Sequence, residues 1–336
     1  MKPLVTLLAT SAVVAAAAAP ATAAPTTIAT LHGETTVRAF GGVQSWSDLD
    51  PADKQWHVMV RSNGQVTRPP IPAAKDAIEV DVGPGAGGAP VLAYVSCTDT
   101  CRVVVAGIDG GAPQAVAGSE GASHPTVWRN RVAWVRGKAT VMTSTLTGSG
   151  RKGLAGAPRR KCYRPYTGKP RRCERPQNPS VDALELFGNQ LALVDTFGLK
   201  AATGNGTTEV RTESVKGGPQ KLVALNAIGE SGQTWVGPSW AKGKLYFYKS
   251  CFGDPSGCVG GAGGAYGYDP GRNTYVHAGG STVLSGFAMD DDGSRAYEAS
   301  APGSGLACDD ADAKSCLLRL TDPLPFAPTR SLVGQP

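Results

Sequence analysis

The residues with the greatest chemical potential lie between Pro158 and Pro176, in the segment PRRKCYRPYTGKPRRCERP. Eight Lys or Arg side chains stand there against one acid, and a cysteine stands near each end. Guanidinium groups bind phosphate and carboxylate in a bidentate manner, and Tyr rings stack on sugars or bases. We therefore predict a ligand-binding set made of Arg159, Arg160, Lys161, Tyr163, Arg164, Tyr166, Lys169, Arg171, Arg172 and Arg175.

The positive charge of the chain is concentrated in this region. The stretch from Arg151 to Arg175 carries a net charge of +9, in a chain whose formal net charge is +6. Such a patch attracts anionic partners, and salt screens its field beyond about 8–10 Å. The alternative is a solvated basic loop that binds only counter-ions.

The eight cysteines also point to chemistry, because they fall in four close pairs. We predict four local disulfides, since the chain begins with an export signal and exported proteins meet an oxidising compartment. Zinc binding is the alternative, but the pairs are far apart in sequence and no His stands beside them. The predicted pairs are Cys97 with Cys101, Cys162 with Cys173, Cys251 with Cys258, and Cys308 with Cys316.

The export signal occupies the first residues of the chain. One Lys is followed by an apolar, Ala-rich run, and Ala21-Thr22-Ala23 has the small residues of a signal-peptidase site. We predict a signal peptide over 1–23 and a secreted or envelope-associated mature chain over 24–336. No later segment approaches the roughly 18 apolar residues of a spanning helix, so we expect no transmembrane segment in the mature chain.

Weak internal repeats predict the fold that positions these residues. Short β-rich runs pair across tight turns centred near residues 42, 86, 130, 189, 242 and 292, at intervals of about 44 to 59 residues. A second hairpin follows each, so we predict one all-β domain, a six-bladed β-propeller with four antiparallel strands per blade. A pair of β-sandwiches is the alternative. The predicted blades span approximately 35–72, 77–118, 124–156, 181–224, 233–278 and 282–333, with a basic stapled insert at 157–176.

Chain direction in a propeller assigns the connections to two faces. Links between strands one and two, or three and four, form one face, which we call the short-turn face. Links between strands two and three, and between blades, form the other, which we call the long-loop face. The alignment places all four cysteine pairs on the long-loop face. The ring closes either through residues 27–33, as a strand of the last blade, or through FAPTRSLVG near the C-terminus.

Three stretches of the chain resemble the TolB-like six-bladed propellers. They are AMDDDGSRAY at 288–297, the stretch VDVGPG with AYVSC and CRVVVAGIDGG, and HPTVWRNRVAWVR at 124–136. The resemblance covers nearly the whole mature chain, and its motifs are turn signatures. It implies a protein-interaction platform of the cell envelope that performs no catalysis.

The sequence contains no recognised catalytic motif. The four His lack metal-ligand spacing, and the chain has no Gly-x-Ser-x-Gly, P-loop or dinucleotide fingerprint. We therefore predict no catalytic residue, no cofactor and no metal, with Ca²⁺ at Asp309, Asp310 and Asp312 as an alternative. Asp290 to Gly293 predicts a hairpin turn, and we expect the six Trp residues to pack between blades.

These patterns together predict an exported, non-enzymatic binding or scaffold protein. It would recognise an anionic cell-envelope polymer or a protein partner through its long-loop face, and we expect a monomer that does not bind nucleic acid. The alternative is a calcium-dependent lactonase-type or other propeller enzyme. Such an enzyme would use inward-facing groups of the central channel, for which Asp81, Glu185 and His124 are the candidates.

Overall fold

The fold consists of β-strands joined by turns. The computed structural model describes residues 26–156, 158, 161–163, 172–198, 206–227, 233–251, 263–279, 283–300, 315–319 and 326–329. These residues form 27 strands and no α-helix. In this part of the chain, no helix has the length and hydrophobicity that a membrane span requires.

The strands form six sheets of four or five antiparallel strands and one separate hairpin. The first strand in the chain is β1 (Thr26–Leu31). Blade 1 contains β2 (Arg38–Phe40), β3 (Val43–Leu49), β4 (Trp56–Ser62) and β5 (Gln65–Thr67). Blade 2 contains β6 (Val80–Pro84), β7 (Pro90–Cys97), β8 (Cys101–Gly107) and β9 (Gln114–Ala115). Blade 3 contains β10 (Ala122–Trp128), β11 (Arg131–Arg136), β12 (Thr140–Thr145) and β13 (Lys152–Ala155).

The second half of the chain supplies the hairpin and three further blades. The hairpin contains β14 (Lys161–Tyr163) and β15 (Arg172–Glu174). Blade 4 contains β16 (Gln177–Phe187), β17 (Gln190–Gly198), β18 (Thr207–Ser214) and β19 (Lys221–Ala227). Blade 5 contains β20 (Gln233–Ala241), β21 (Lys244–Cys251), β22 (Gly264–Asp269) and β23 (Thr274–Gly279). Blade 6 contains β24 (Leu284–Met289), β25 (Ala296–Ser300) and β26 (Ser315–Arg319). The last strand in the chain is β27 (Ala327–Thr329).

The innermost strands of the six blades form a closed ring. Each of β2, β6, β10, β16, β20 and β24 contacts the innermost strand of the next blade, and β24 contacts β2. Four-stranded antiparallel sheets arranged radially in this way define a β-propeller. The predicted fold class is therefore confirmed.

Each seam between neighbouring blades contains its own hydrophobic cluster. The described residues form six such clusters, and each draws its buried side chains from two adjacent blades. Strand β11 shows how one strand serves two seams. Val132 and Trp134 pack toward blade 2, whereas Ala133 and Val135 pack toward blade 4. Successive side chains of a strand point to opposite faces, so a sheet buried on both faces needs continuous apolar runs.

The N-terminal strand closes the ring. Strand β1 is the outermost strand of blade 6, where it pairs with β26 in the order β1-β26-β25-β24. Leu31 at the end of β1 is fully buried in the seam with blade 1. Strand β27 instead adds a fifth strand to the outer edge of blade 5. Of the two closures that the sequence left open, the structure therefore adopts the N-terminal one.

A turn of blade 6 also holds blade 1 on the short-turn face. Asp290 and Asp291 accept hydrogen bonds from the backbone N–H groups of Gly42 and Gly41, at 3.2 and 3.0 Å. The predicted hairpin turn is confirmed, because the Gly293 N–H donates to the Asp290 carbonyl and Gly293 has φ +67°. The acidic run therefore stabilises a turn and joins the first and last blades.

Two glycines allow the innermost strands to approach closely. A Cβ atom on Gly83 of blade 2 would overlap the backbone carbonyl oxygen of Val127 in blade 3. A Cβ atom on Gly286 of blade 6 would lie 2.7 Å from the backbone nitrogen of Val37. Both obstructing atoms belong to the backbone, so a side chain at either position would push two blades apart.

We predict that Gly83→Ala lowers the free energy of unfolding by about 1–3 kcal/mol, because the added methyl group is overpacked against backbone. Gly87→Ala is the matched control, since Gly87 lies in the connection that follows β6, with nothing within 4 Å of an added Cβ atom. Denaturant unfolding of both variants measures the difference. Equal stability of the two variants would show that the blades do not approach closely at Gly83.

Candidate functional site

Four aromatic side chains lie in a row across the central channel at the short-turn face. Phe40, Trp128, Phe187 and Trp240 stand at or beside the last residues of the innermost strands of blades 1, 3, 4 and 5. Their ring centroids are separated by 5.8, 4.5 and 5.6 Å in that order. Blades 1 and 3 are not neighbours, so these contacts cross the axis. We call this set the aromatic floor.

Arg38 spans the channel above the aromatic floor. Its Nη1 donates to the Pro238 carbonyl at 2.9 Å, and its Nη2 donates to the Leu184 carbonyl at 3.3 Å. Its Nη1 also lies 3.5 Å from Glu185 Oε2, and its Nε lies 4.0 Å from Asp81 Oδ1. One guanidinium from blade 1 therefore contacts the innermost strands of blades 2, 4 and 5.

The Asp81 carboxyl group is deeply buried, and that of Glu185 is largely buried, with its side chain 15% exposed. Asp81 is 1% exposed, and its Oδ2 accepts a hydrogen bond from the Val127 N–H at 2.9 Å. Burial raises the pKa of Glu185 well above its ordinary value, and repulsion from Asp81 adds to this effect, while Arg38 opposes it. Burial likewise raises the pKa of Asp81 against the effect of Arg38. The arrangement is a structural charge layer in which a single cation serves two acids.

A cavity of about 270 Å³ opens into the channel from the long-loop side of Arg38. Its walls come from the first halves of the innermost strands of blades 1, 4, 5 and 6 and from the segment before β2. They combine apolar side chains, hydroxyl groups and two carboxylates. The lining residues are Glu34, Thr36, Val37, Arg38, Asp182, Ala183, Thr234, Trp235, Val236, Gly237, Leu284, Ser285, Gly286 and Phe287.

Blades 2 and 3 place an acid–histidine pair near the long-loop end of their innermost strands. His124 Nδ1 lies 3.3 Å from Glu79 Oε1, and the His124 N–H donates to the same carboxylate. His124 has φ +46° and lies in an irregularity of the pairing between β10 and β11. Of the three channel residues considered for catalysis, Asp81 and Glu185 are therefore brought together by Arg38, whereas His124 pairs elsewhere.

The hairpin β14–β15 carries the predicted cationic segment. Cys162 and Cys173 face each other in its register and form a disulfide. Lys161 forms an ion pair with Glu209, whose side chain is fully buried in β18 of blade 4. The disulfide joins β14 to β15, and the ion pair attaches β14 to blade 4, whereas the segment 164–171 lies outside the described residues. We call β14–β15 with this segment the cationic hairpin.

Glu209 belongs to a buried charge cluster in blade 4. The Arg211 guanidinium contacts Asp195 at 2.7 and 2.9 Å and donates to the Gly156 carbonyl at 2.9 Å. Burial raises the pKa of Asp195 to about 7, with the nearby Glu209 carboxylate contributing and Arg211 opposing. Lys161 supplies the second cation that two buried acids require, since an uncompensated buried charge is strongly destabilising.

The described cysteines all belong to the long-loop face. The predicted Cys97–Cys101 disulfide is confirmed in the connection between β7 and β8, strands two and three of blade 2. The Cys162–Cys173 disulfide is confirmed between blades 3 and 4. Cys251 ends the second strand of blade 5, and Cys316 lies in the third strand of blade 6. Their predicted partners, Cys258 and Cys308, lie outside the described residues.

Much of the predicted ligand-binding set also lies outside the described residues. This holds for Arg159, Arg160, Arg164, Tyr166, Lys169 and Arg171, and for the side chains of Tyr163 and Arg172. Arg175 is exposed, whereas Lys161 is committed to Glu209. The binding role of the set stays a prediction, and so do the signal peptide over 1–23 and the calcium alternative in the Cys308–Cys316 segment.

One cluster of side chains outside the channel consists of residue types that can bind a metal ion. The donor atoms of Asp50, Asp53 and His57 lie within 4.8 Å of one another. Arg68, however, lies 3.2 Å from Asp50 and 3.7 Å from Asp53, and His57 Nε2 lies 2.8 Å from Asp53. These internal ion pairs account for the group without a metal.

Sequence reasoning missed Arg38, Glu34 and Asp182 as channel residues. A signal for Arg38 was present, because it is the one charged residue in the strand run TTVRAF of the first repeat. A charge inside a strand that is buried on both faces requires partners. The partners came from blades 2, 4 and 5, and the sequence pattern alone does not identify them.

The sequence matches no protein-family model and none of the curated proteins. Among solved structures, it is similar to the β-propeller domain of the Trilobed protease from Pyrococcus furiosus (TM-score 0.45, 8% identity, covering 90% of this chain and 100% of that chain). It is also similar to the RRP9 WD40 repeats (TM-score 0.47, 8% identity, 88% and 97% covered). A third similar structure is puromycin hydrolase (TM-score 0.44, 16% identity, 82% covered), of which it spans 51%. Similarities this distant carry no argument about function, and membership of the TolB-like family stays a prediction.

We predict that Arg38→Met lowers the free energy of unfolding at neutral pH by about 3–5 kcal/mol, because it leaves two buried carboxyl groups without a cation. Arg102→Met is the matched control, since it breaks an ion pair with Glu120 in which both side chains are 52% exposed. Such a pair contributes no more than about 1 kcal/mol. Equal losses in the two variants, measured by denaturant unfolding, would contradict the charge layer.

We further predict that Glu185→Gln changes how stability depends on pH. A carboxyl group whose folded pKa is raised binds a proton more tightly in the folded state, so its stabilising effect declines as pH rises above the ordinary value of 4.5. Each unit of elevation corresponds to about 1.4 kcal/mol. The variant should lose less stability than the wild type between pH 4.5 and 8 in unfolding curves, whereas exposed Glu120→Gln should follow the wild type. Parallel curves for Glu185→Gln and the wild type would refute this assignment.

Proposed function

We propose that this protein is an exported, non-enzymatic propeller that binds an anionic envelope polymer through the cationic hairpin on its long-loop face. The role is that of an interaction platform, as its resemblance to the TolB-like propellers implies. The two described disulfides are compatible with an oxidising compartment outside the cytoplasm.

The observation that carries the proposal is the attachment of the hairpin to blade 4. A flexible basic loop would lose conformational entropy on binding, and that loss opposes affinity. Here the Cys162–Cys173 disulfide and the Lys161–Glu209 ion pair fix the base of the loop before any ligand arrives. A disulfide closing so short a loop contributes about 2–3 kcal/mol in chain-entropy terms.

The charge of the hairpin favours a polymer over a single small anion. After Lys161 is assigned to Glu209, the hairpin and its flanks keep a dense run of cations, namely Arg159, Arg160, Arg164, Lys169, Arg171, Arg172 and Arg175. Arg binds phosphate and carboxylate in bidentate geometry. Several Arg residues in one stretch match a chain that repeats phosphate or uronate groups.

The channel supports a binding role better than the lactonase-type alternative. That alternative needs acids that are free to face a substrate, but Asp81 and Glu185 both lie within ion-pair distance of Arg38, and Asp81 is 1% exposed. We therefore assign these acids to the stability of the propeller.

The proposal predicts salt-sensitive binding of polyphosphate and alginate, measured by biolayer interferometry across a salt series. Replacing Arg159, Arg160, Arg171 and Arg172 with Ser should weaken binding at least about tenfold. The reason is that four contacts of about 0.5 kcal/mol each sum to about 2 kcal/mol. A polymer bound through charges should also dissociate as salt screens the field.

A matched control removes four cations from the opposite face. Replacing Arg129, Arg131, Lys242 and Lys244 with Ser makes the same change in net charge at the short turns of blades 3 and 5. This variant should retain affinity within about twofold. If both variants lose affinity equally, binding follows net charge only, and if neither loses affinity, the cationic hairpin is not the contact. Selective binding of an acidic protein, without either polymer, would favour the protein partner instead.

A further inference from the structure

The central cavity has the size and lining of a small-molecule site separate from the cationic hairpin. Its volume of about 270 Å³ lies just below the range of about 300–1,000 Å³ for pockets of drug-sized ligands, so it suits a smaller molecule. The aromatic floor and Arg38 lie on the short-turn side of the cavity, which is lined by the long-loop halves of the innermost strands. A ligand would therefore lie against four innermost strands at once.

The walls of the cavity are mainly apolar. Val37, Trp235, Val236, Leu284 and Phe287 line it, and Trp235 is held in place by edge contacts with Phe247 and Tyr266. Hydroxyl groups of Thr36, Thr234 and Ser285 interrupt the apolar surface. Such a lining suits the methylene groups of a short aliphatic molecule.

The charge of the cavity is negative. Glu34 and Asp182 are exposed carboxylates of the wall, and no described basic side chain forms an ion pair with either of them. Asp182 is oriented by hydrogen bonds from the Ser180 and Thr196 hydroxyls, the first at 2.7 Å. The one cation in the lining, Arg38, is already engaged with Asp81 and Glu185.

The buried layer below provides no free cation, because Arg38 is engaged with Asp81 and Glu185. One carboxyl oxygen of Asp81 and one of Glu185 are buried and accept no hydrogen bond in the described structure. The Arg38 guanidinium therefore serves two acids next to the cavity, and two further acids, Glu34 and Asp182, stand on the cavity wall. A positively charged ligand would meet complementary charge, whereas an anion would be repelled.

From this combination we infer that the central cavity binds a small aliphatic amine, with its ammonium group at Asp182 and Glu34 and its methylene groups on the apolar wall. The amine site and the cationic hairpin share the long-loop face but carry opposite charge. The site does not depend on the proposed function, because it uses none of the hairpin residues.

The test uses three probes of equal length that differ in charge. These are 1,4-diaminobutane, 1,4-butanediol and succinate, each titrated into the full mature chain at matched ionic strength by calorimetry. We expect the diamine to bind at least about tenfold more tightly than the diol, and succinate not to bind. Equal binding of the diamine and the diol, or no diamine binding above background, would overturn the inference.

Variants locate the site within the protein. Asp182→Asn and Glu34→Gln should each weaken diamine binding about three- to tenfold, because each removes one charge partner. Asp76→Asn is the matched control, since Asp76 is an exposed acid in the connection between blades 1 and 2 and does not line the cavity. Loss of affinity in the control equal to that in the cavity variants would overturn the assignment to the cavity.

A cavity-filling variant gives an independent readout. Ala183 lines the cavity, so Ala183→Phe should abolish diamine binding while circular dichroism shows a folded β-protein. Unchanged diamine binding in this variant would also overturn the inference. The variant that removes Arg159, Arg160, Arg171 and Arg172 should bind the diamine normally, so failure of the proposed function and failure of this inference can be distinguished.

Discussion

The structure depends on the burial of both faces of every sheet against its two neighbours. A single four-stranded blade cannot bury its own apolar surface, so none is stable by itself, and the ring of six supplies each blade with two partners. The alternation in β11 shows the consequence, because Val132 and Ala133 serve different cores although they are adjacent in sequence. The ring must then close, and β1 closes it by completing blade 6 beside β26.

Closure also determines what the axis contains. Close approach at Gly83 and Gly286 brings the innermost strands of blades 2 and 3, and of blades 6 and 1, into backbone contact. Side chains then have to fill the axis, and they do so in layers. The aromatic floor lies at the short-turn face, the Arg38 charge layer lies above it, and the cavity opens toward the long loops. This order follows from the parallel arrangement of six innermost strands that all run from the long-loop face to the short-turn face.

The same chain direction places opposite charges on one face. The cationic hairpin is attached beside blade 4, where Lys161 compensates the buried Glu209. The cavity mouth, nearer the axis, carries Glu34 and Asp182. A polymer bound at the hairpin and an amine bound at the axis would therefore use separate surfaces of a single rigid scaffold, and the acids at the mouth would keep a polyanion away from the cavity.

The sequence by itself determined the elements and their faces. Continuous apolar runs such as RVAWVR, the Gly and Asn turns between them, and cysteines placed at the ends of second strands or between blades were sufficient for a propeller with its disulfides on the long-loop face. These properties are local, because strand periodicity and turn chemistry act over a few residues.

Only the tertiary structure decided the channel and the attachment of the hairpin. Arg38 meets Glu185 across 147 positions of sequence, and Lys161 meets Glu209 across 48. Such pairs form only when the ring brings distant strands together, and no local pattern specifies which acid a buried cation will reach.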